Sequence, residues 1–420
     1  MVEPKLSILA QTLISSEIVK LGGIIKDKIS KGEHIYNYTI GDFDSSEFPI
    51  PELLRNEIKK AYDEGYTTYP LADGETDLRK AVAAFIKSRQ ELEFDISEIL
   101  IAAGGRPLIY AAFRAIVDKG DKVIYPIPSW NNNHYTHFTE GEHVKIEALE
   151  ENNFMPTADQ IRPHIKGAAM IALCSPLNPT GTVFKKQDLQ DICDLIIEEN
   201  SHRKEEDKKL YLLYDQIYWT LTFGDTEHFN PISLRPKMKE YTVFVDGISK
   251  AFAATGVRVG WSFGPKHLIA KMKAINSHVG AWAPMAEQKA VAKFLVQEEV
   301  VDDYFIKFKK EIDFRLKKIY EGFIALKNEG FSVDAIYPQA AIYLTVKIDL
   351  VGKSFKEVLF KTQPEVTEYI LNEAKLAMVP FSSFGAKADS CWYRISVGCV
   401  KKEEISDVLN KLRRTLKNVE

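Results

Sequence analysis

The sequence predicts an α/β chain, with strands and helices alternating to build a sheet domain. Three observations carry this. Short, mostly apolar runs of strand length recur at Ile99–Ala103, Lys122–Pro126, Ala168–Cys174, Leu210–Tyr214 and Tyr241–Val245. Segments with apolar residues at helical spacing lie between them. The runs lead into turns rich in Gly, Pro, Asn and Asp. The 420 residues are enough for two or three domains. The 45% hydrophobic and 27% charged residues are those of a globular chain with a large core.

Composition also excludes. A net charge of -4, with no basic stripe interleaved with aromatics, argues against a nucleic-acid partner. The cysteines, Cys174, Cys193, Cys391 and Cys399, form no Cys-x-x-Cys pair, so no zinc site or disulfide framework is expected. Free thiols fit a reducing, cytoplasmic compartment. Met1-Val2-Glu3-Pro4-Lys5 does not open a basic-then-apolar leader. No apolar run approaches the ~20 residues that cross a bilayer, so no membrane partner is expected. Internal repeats and low-complexity tracts are absent from the sequence.

The elements follow in order. Residues 5–30 place Leu6, Leu9, Leu13, Ile18, Leu21 and Ile25 at roughly helical spacing, an amphipathic arm for core or dimer packing. Ile35–Gly41 reads as a strand ending in Gly41-Asp42-Phe43-Asp44. Helices are expected over Pro51–Glu64 and from Asp77, with Tyr69 in the loop between them. The Ile99–Ala103 strand meets Gly104-Gly105-Arg106 and a helix to about Val117. Glycines there allow close approach, and the free amides and dipole of a first helical turn attract an anion. No Gly-x-Gly-x-x-Gly or Walker pattern is present. Lys122–Pro126 leads to Trp130, and Ala168–Cys174 leads to the turn Asn178-Pro179-Thr180-Gly181. A helix from Lys186 ends in a charged, solvated run over Glu198–Lys209. Leu210–Tyr214 precedes Asp215-Gln216-Ile217-Tyr218, and a further strand is expected over Val257–Phe263. Glu287–Ile324 is helical, Ala340–Ile348 alternates as a strand, Pro380–Gly385 is a loop, and Trp392–Val397 is a strand that carries Arg394.

The chemistry centres on Lys250. It lies among Gly247, Ile248, Ser249, Ala251, Phe252, Ala253 and Ala254, with no charge nearer than Asp246 and Arg258. Desolvation lowers a lysine's pKa and frees its amine as a nucleophile, the requirement for a Schiff base to a carbonyl cofactor.

Gly247-Ile248-Ser249-Lys250, followed eight places after the lysine by Arg258-Val259-Gly260, resembles the attachment site of the class I/II aminotransferases, the aspartate aminotransferase family in particular. The resemblance covers nearly the whole chain. It implies the cofactor pyridoxal 5′-phosphate, joined to Lys250, with Arg258 and Ser249 at its phosphate. Gly104, Gly105 and Arg106 would complete the phosphate turn. Arg106 stands where one branch of the family has a lysine that meets the substrate's distal carboxylate, so it is assigned to either phosphate or substrate. Trp130 would stack on the pyridine ring. Relatives often have a tyrosine three places later, where this chain has Asn133. Asn178 and Tyr218 would bond the phenolic oxygen. Asp215 would keep the ring nitrogen protonated, since an adjacent anion stabilises that cation. The family wording there is Asp-Glu-Ile-Tyr, and this chain has Gln216 in the second place. Arg394 would clamp the substrate's α-carboxylate beside Gly41, where most relatives read Gly-Glu-Pro-Asp. Tyr69 would reach the cofactor phosphate of a second subunit.

The implied fold is that of the fold-type I pyridoxal-phosphate enzymes. A large domain over 46–290 holds a mostly parallel seven-stranded sheet between helices. A smaller α+β domain, from 1–45 and 291–420, includes the amino-terminal arm. The implied assembly is a homodimer. The implied activity moves an amino group from an L-amino acid, acidic or aromatic, to a 2-oxo acid such as 2-oxoglutarate. A C–S β-lyase on the same scaffold uses the same lysine and ring. A cofactor-binding regulator is the third reading; such proteins carry a DNA-binding domain ahead of this fold, for which residues 1–35 leave little room.

Overall fold

A computed structural model describes residues 5–14 and 17–420. Residues 1–4, within the stretch read for a leader, lie outside the described residues. The large sheet has seven strands: β1 (Ile99–Ala102), β2 (Lys122–Ile127), β3 (Glu142–Glu147), β4 (Ala168–Cys174), β5 (Tyr211–Asp215), β6 (Thr242–Gly247) and β7 (Gly260–Phe263). Their spatial order is β1-β7-β6-β5-β4-β2-β3. Only β7 runs against its neighbours. Helices cover both faces, which is why β4 reads as an unbroken apolar run rather than an alternating one.

Alternate residues of the central strands feed different cores. Tyr214, Phe244 and Trp261 pack on one face with Leu78 and Phe85 of the Thr76–Gln90 helix and Ile192 of the Lys186–Ser201 helix. Leu213 and Val245 pack on the other face with Leu108 and Phe113 of the Gly105–Ile116 helix and Met272 of the Lys266–Val279 helix.

The second sheet is antiparallel. Its strands are β8 (Val333–Ala335), β9 (Tyr343–Ile348), β10 (Val379–Pro380) and β11 (Trp392–Ser396), in the order β10-β11-β9-β8. It has its own core, including Tyr343, Val346, Tyr393 and Ile395. The 31-residue helix Glu298–Asn328 joins the two cores. Val301 and Phe305 belong to the first, and Phe308, Ile312 and Leu316 to the second.

Several expected elements are shorter. The helix expected over 5–30 is two, Ile8–Thr12 and Glu17–Ser30, because Leu13 is extended. Only Tyr36–Asn37 pairs in the strand expected over Ile35–Gly41. Asn37 Oδ1 accepts from the Thr39 N–H and hydroxyl and turns the chain there. The strand expected from Val257 begins at Gly260, since Arg258 has a positive φ of 62°. Glu287–Ile324 is split between Met285–Leu295 and Glu298–Asn328. No helix among the described residues is long and apolar enough to cross a membrane.

Candidate active site

The carboxyl ends of the parallel strands open into a cavity of about 870 Å³, lined also by the second sheet. Gly41, Gly105, Arg106, Trp130, Asn178, Asp215, Tyr218, Ser249, Lys250, Arg258 and Arg394 all line it. Gly104 lies just behind. A Cβ there would fall 2.3 Å from Arg258 Nη2, so the glycine lets the guanidinium approach the start of the Gly105–Ile116 helix. Its φ of +86° also favours glycine. Tyr69 is apart from the cavity: it is 84% exposed, with its ring against Trp282.

Lys250 stands on the one-turn helix Ile248–Ala251 directly after β6. Its Nζ donates to Gly41 O at 2.5 Å. Burial pulls its pKa down to about 8; Asp42 opposes that fall, and Arg394 and Arg106 reinforce it. Asp215 closes β5. Burial raises its carboxyl to about 6, against one hydrogen bond from the Ile217 N–H at 3.1 Å.

Arg258 donates to Thr255 O at 2.5 Å and Ala103 O at 2.7 Å, which fixes the guanidinium between two loops. Beside it are Ser249 and a helix start whose first amides have no helical acceptor. Together they form a cationic, donor-rich end.

Arg394 is 2% exposed and has no carboxylate partner among the described residues. It donates to Asn178 Oδ1 at 3.0 Å and Thr39 O at 2.6 Å, and its Nε is buried without an acceptor among the described residues. Tyr343 and Phe384 flank it, with ring centres 4.7 and 5.0 Å away. A buried guanidinium with an unused donor is costly unless an anion completes it. Asn178 spends its oxygen on Arg394, so its NH₂ remains to donate. Tyr218 shares a 2.6 Å hydrogen bond with Tyr343.

Arg106 is exposed to the cavity, with its guanidinium 4.6 Å over the Trp130 ring. Trp130, expected against a cofactor ring, thus stacks on an arginine in this structure. Sequence reasoning missed Tyr343, Asp42 and Thr255. Thr255 was accessible as a hydroxyl three residues before Arg258. The other two carry no local signal.

The residues fit a phosphorylated pyridine aldehyde. The cradle at Gly104 and Arg258 suits a phosphate, Asp215 offers an open carboxylate, and Lys250 supplies an amine of lowered basicity. The family of class I and II aminotransferases matches this chain over residues 33–412.

The chain is a class I and II aminotransferase.

The chain is 31% identical over 416 residues to the aspartate aminotransferase of Pyrococcus abyssi, covering 96% of each chain. The aspartate aminotransferase structure from Rhizobium meliloti superposes with a TM-score of 0.89 at 25% identity and full coverage of both chains. An aromatic aminotransferase structure from Pyrococcus horikoshii gives 0.81 at 27% identity, covering 94% of this chain and 98% of that one. The fold is therefore the α/β fold of the fold-type I enzymes. Aspartate aminotransferases use pyridoxal 5′-phosphate, and this aminotransferase is an enzyme of that chemistry. The C–S lyase reading is not favoured by these relatives.

Proposed function

We propose that this aminotransferase takes its amino group from an acidic L-amino acid, aspartate first, and delivers it to a 2-oxo acid such as 2-oxoglutarate. The observation that carries this is the pair of arginines in one cavity, Arg394 buried with an unused donor and Arg106 exposed on Trp130. A dicarboxylate has an anion for each. The P. abyssi and R. meliloti relatives bear the name aspartate aminotransferase.

In this reading the bound pyridoxal phosphate supplies a carbonyl for amine exchange and a ring that withdraws electrons from the substrate Cα. Lys250 is the attachment point and then moves the Cα proton, as base and then acid. Asp215 would hold the ring nitrogen protonated. Asn178 and Tyr218 would donate to the phenolic oxygen. Ser249, Arg258 and the Gly104-Gly105 turn would grip the phosphate, and Trp130 would lie on the ring. Arg394 fixes the α-carboxylate beside Gly41; positioning of this kind contributes several kcal/mol. Exposed Tyr69 suits a homodimer in which it reaches the second subunit's phosphate. The two sheets suit a large unit over 46–290 and a smaller one from 1–45 and 291–420. A cytoplasmic location completes the reading.

The test adds L-aspartate, L-glutamate, L-phenylalanine and L-cystathionine in turn to the yellow holoenzyme without an oxo acid. Aspartate is expected to convert the visible spectrum to that of the amino form most readily. Arg106→Ala is expected to lose the preference for aspartate over phenylalanine; retention of it sinks the acidic-substrate reading. Release of ammonia and pyruvate with the spectrum unchanged contradicts transamination.

A further inference from the structure

The second sheet touches both residues assigned to the cofactor's phenolic oxygen. Arg394 of β11 donates to Asn178 Oδ1, which leaves the Asn178 NH₂ for the cavity. Tyr343 of β9 meets Tyr218 hydroxyl to hydroxyl at 2.6 Å, with the ring centres 5.4 Å apart. Both tyrosines are buried and line the cavity. Each hydroxyl makes this one hydrogen bond among the described residues.

Tyr343 is held by contacts of its own. Its ring lies against the Arg394 guanidinium. The chain around it is fastened to the turn that carries Asn178: the Ala340 N–H donates to Gly181 O at 2.9 Å, and Thr345 Oγ1 donates to Thr180 O at 2.8 Å. A Cβ on Gly181 would fall 2.2 Å from the Tyr343 carbonyl oxygen, so the glycine admits the strand. A Cβ on Gly41 would fall 2.8 Å from the Tyr343 hydroxyl oxygen, so Gly41 leaves room for that hydroxyl.

A tyrosine hydroxyl has one hydrogen to give. Given to Tyr343, the Tyr218 hydrogen is spent and none remains for the cavity. With Tyr343 as donor, the Tyr218 hydrogen stays free, and the bond Tyr218 accepts strengthens the one it donates. We propose that Tyr343 is a positioning residue for Tyr218: its hydroxyl donates to Tyr218 and turns the Tyr218 hydrogen into the cavity, toward the phenolic oxygen. This rests on Tyr218 being a donor to that oxygen. Arg394, the Cys174 thiol and the Lys250 amine, 5.9 Å from the Tyr218 ring, also face this pair.

The test is the pH midpoint of the visible absorbance of protein loaded with pyridoxal 5′-phosphate, in wild type, Tyr343→Phe, Tyr218→Phe and the double variant. Phenylalanine keeps each ring and leaves the charged neighbours in place. A donor to the phenolic oxygen stabilises its anion, so the proton beside it leaves at lower pH. Tyr218→Phe is expected to raise the midpoint by about one pH unit, the size of one hydrogen bond to a charged oxygen. Tyr343→Phe is expected to raise it by about 0.3 pH units. The double variant is expected to match Tyr218→Phe, because Tyr343 acts through Tyr218. With Tyr218→Phe shifted, an unchanged midpoint in Tyr343→Phe overturns the proposal. So does a Tyr343→Phe shift that persists in full when Tyr218 is already phenylalanine. Failure of the underlying reading shows separately: an unchanged midpoint in Tyr218→Phe removes Tyr218 from the phenolic oxygen, and the proposal falls with it.

Discussion

Asp215 and Asp246 sit on adjacent parallel strands, where Asp215 pairs with Val245, one residue before Asp246. Side chains alternate between faces along a strand, so the two carboxyls point to opposite sides of the sheet. Burial raises both, Asp215 to about 6 and Asp246 to about 7. Their partners differ. Asp246 is 1% exposed and accepts from Trp219 Nε1 and the Gly247 N–H, each at 2.7 Å. Asp215 accepts from one backbone N–H and faces the cavity. A buried acid with its partners in place belongs to the fold. A buried acid left open at a cavity is set for a cation that binds there.

Four substitutions sharpen or break this contrast. Asp215→Asn carries the largest effect: kcat is expected to fall by about 10²–10³-fold, the scale of losing one preorganised charge. Its melting temperature without cofactor is expected to hold or rise. A large loss of stability with activity retained would reverse the roles. Arg394→Lys is next. It loses the forked geometry, and kcat/KM for the amino acid is expected to fall by about 30-fold, about 2 kcal/mol.

Asp246→Asn is expected to cost about 1–3 kcal/mol of stability, because one of its two donors meets an NH₂ group. Its kcat is expected to stay within a few-fold of wild type, read alongside calorimetric melting. Tyr343→Phe has the smallest effect, removing one hydrogen bond to Tyr218, and kcat is expected to drop only a few-fold.

The same pair gives a pH prediction for cofactor-free protein. Both native carboxyls titrate above the ordinary 3.8, so the native state keeps protons that the unfolded state releases. The stability these two groups contribute is therefore lost as pH rises from about 4 to about 7. Asp215→Asn is expected to flatten that fall up to about pH 6, and Asp246→Asn to flatten it up to about pH 7. Melting temperatures across this range check both.

Much of this was legible in the sequence. The strands of the large sheet announced themselves as apolar runs, because burial on both faces leaves no polar alternation. The Lys250 stretch stood out in the sequence because its chain neighbours are small and apolar, and the fold buries it at the cavity. Boundaries were less so. Asn37 and Arg258 end or delay strands through local backbone conformation that hydrophobic pattern does not encode. The break at Leu13 is hidden by a periodicity that continues across it. Tyr343 and Asp42 were missed for a different reason. They reach the cavity from Tyr343–Ile348 and the loop after Thr39, and only long-range packing brings those segments to Tyr218 and Lys250. Arg106 shows the limit of analogy: a residue type places a cation at the site, and the fold decides that its guanidinium lies over Trp130.

The central claim is that Lys250 is the amine that carries the cofactor. Borohydride reduction of protein reconstituted with pyridoxal 5′-phosphate, followed by peptide mapping, tests it directly. The cofactor mass is expected on the peptide containing Lys250 and on no other. A label on a different lysine, in protein that turns over, would contradict it.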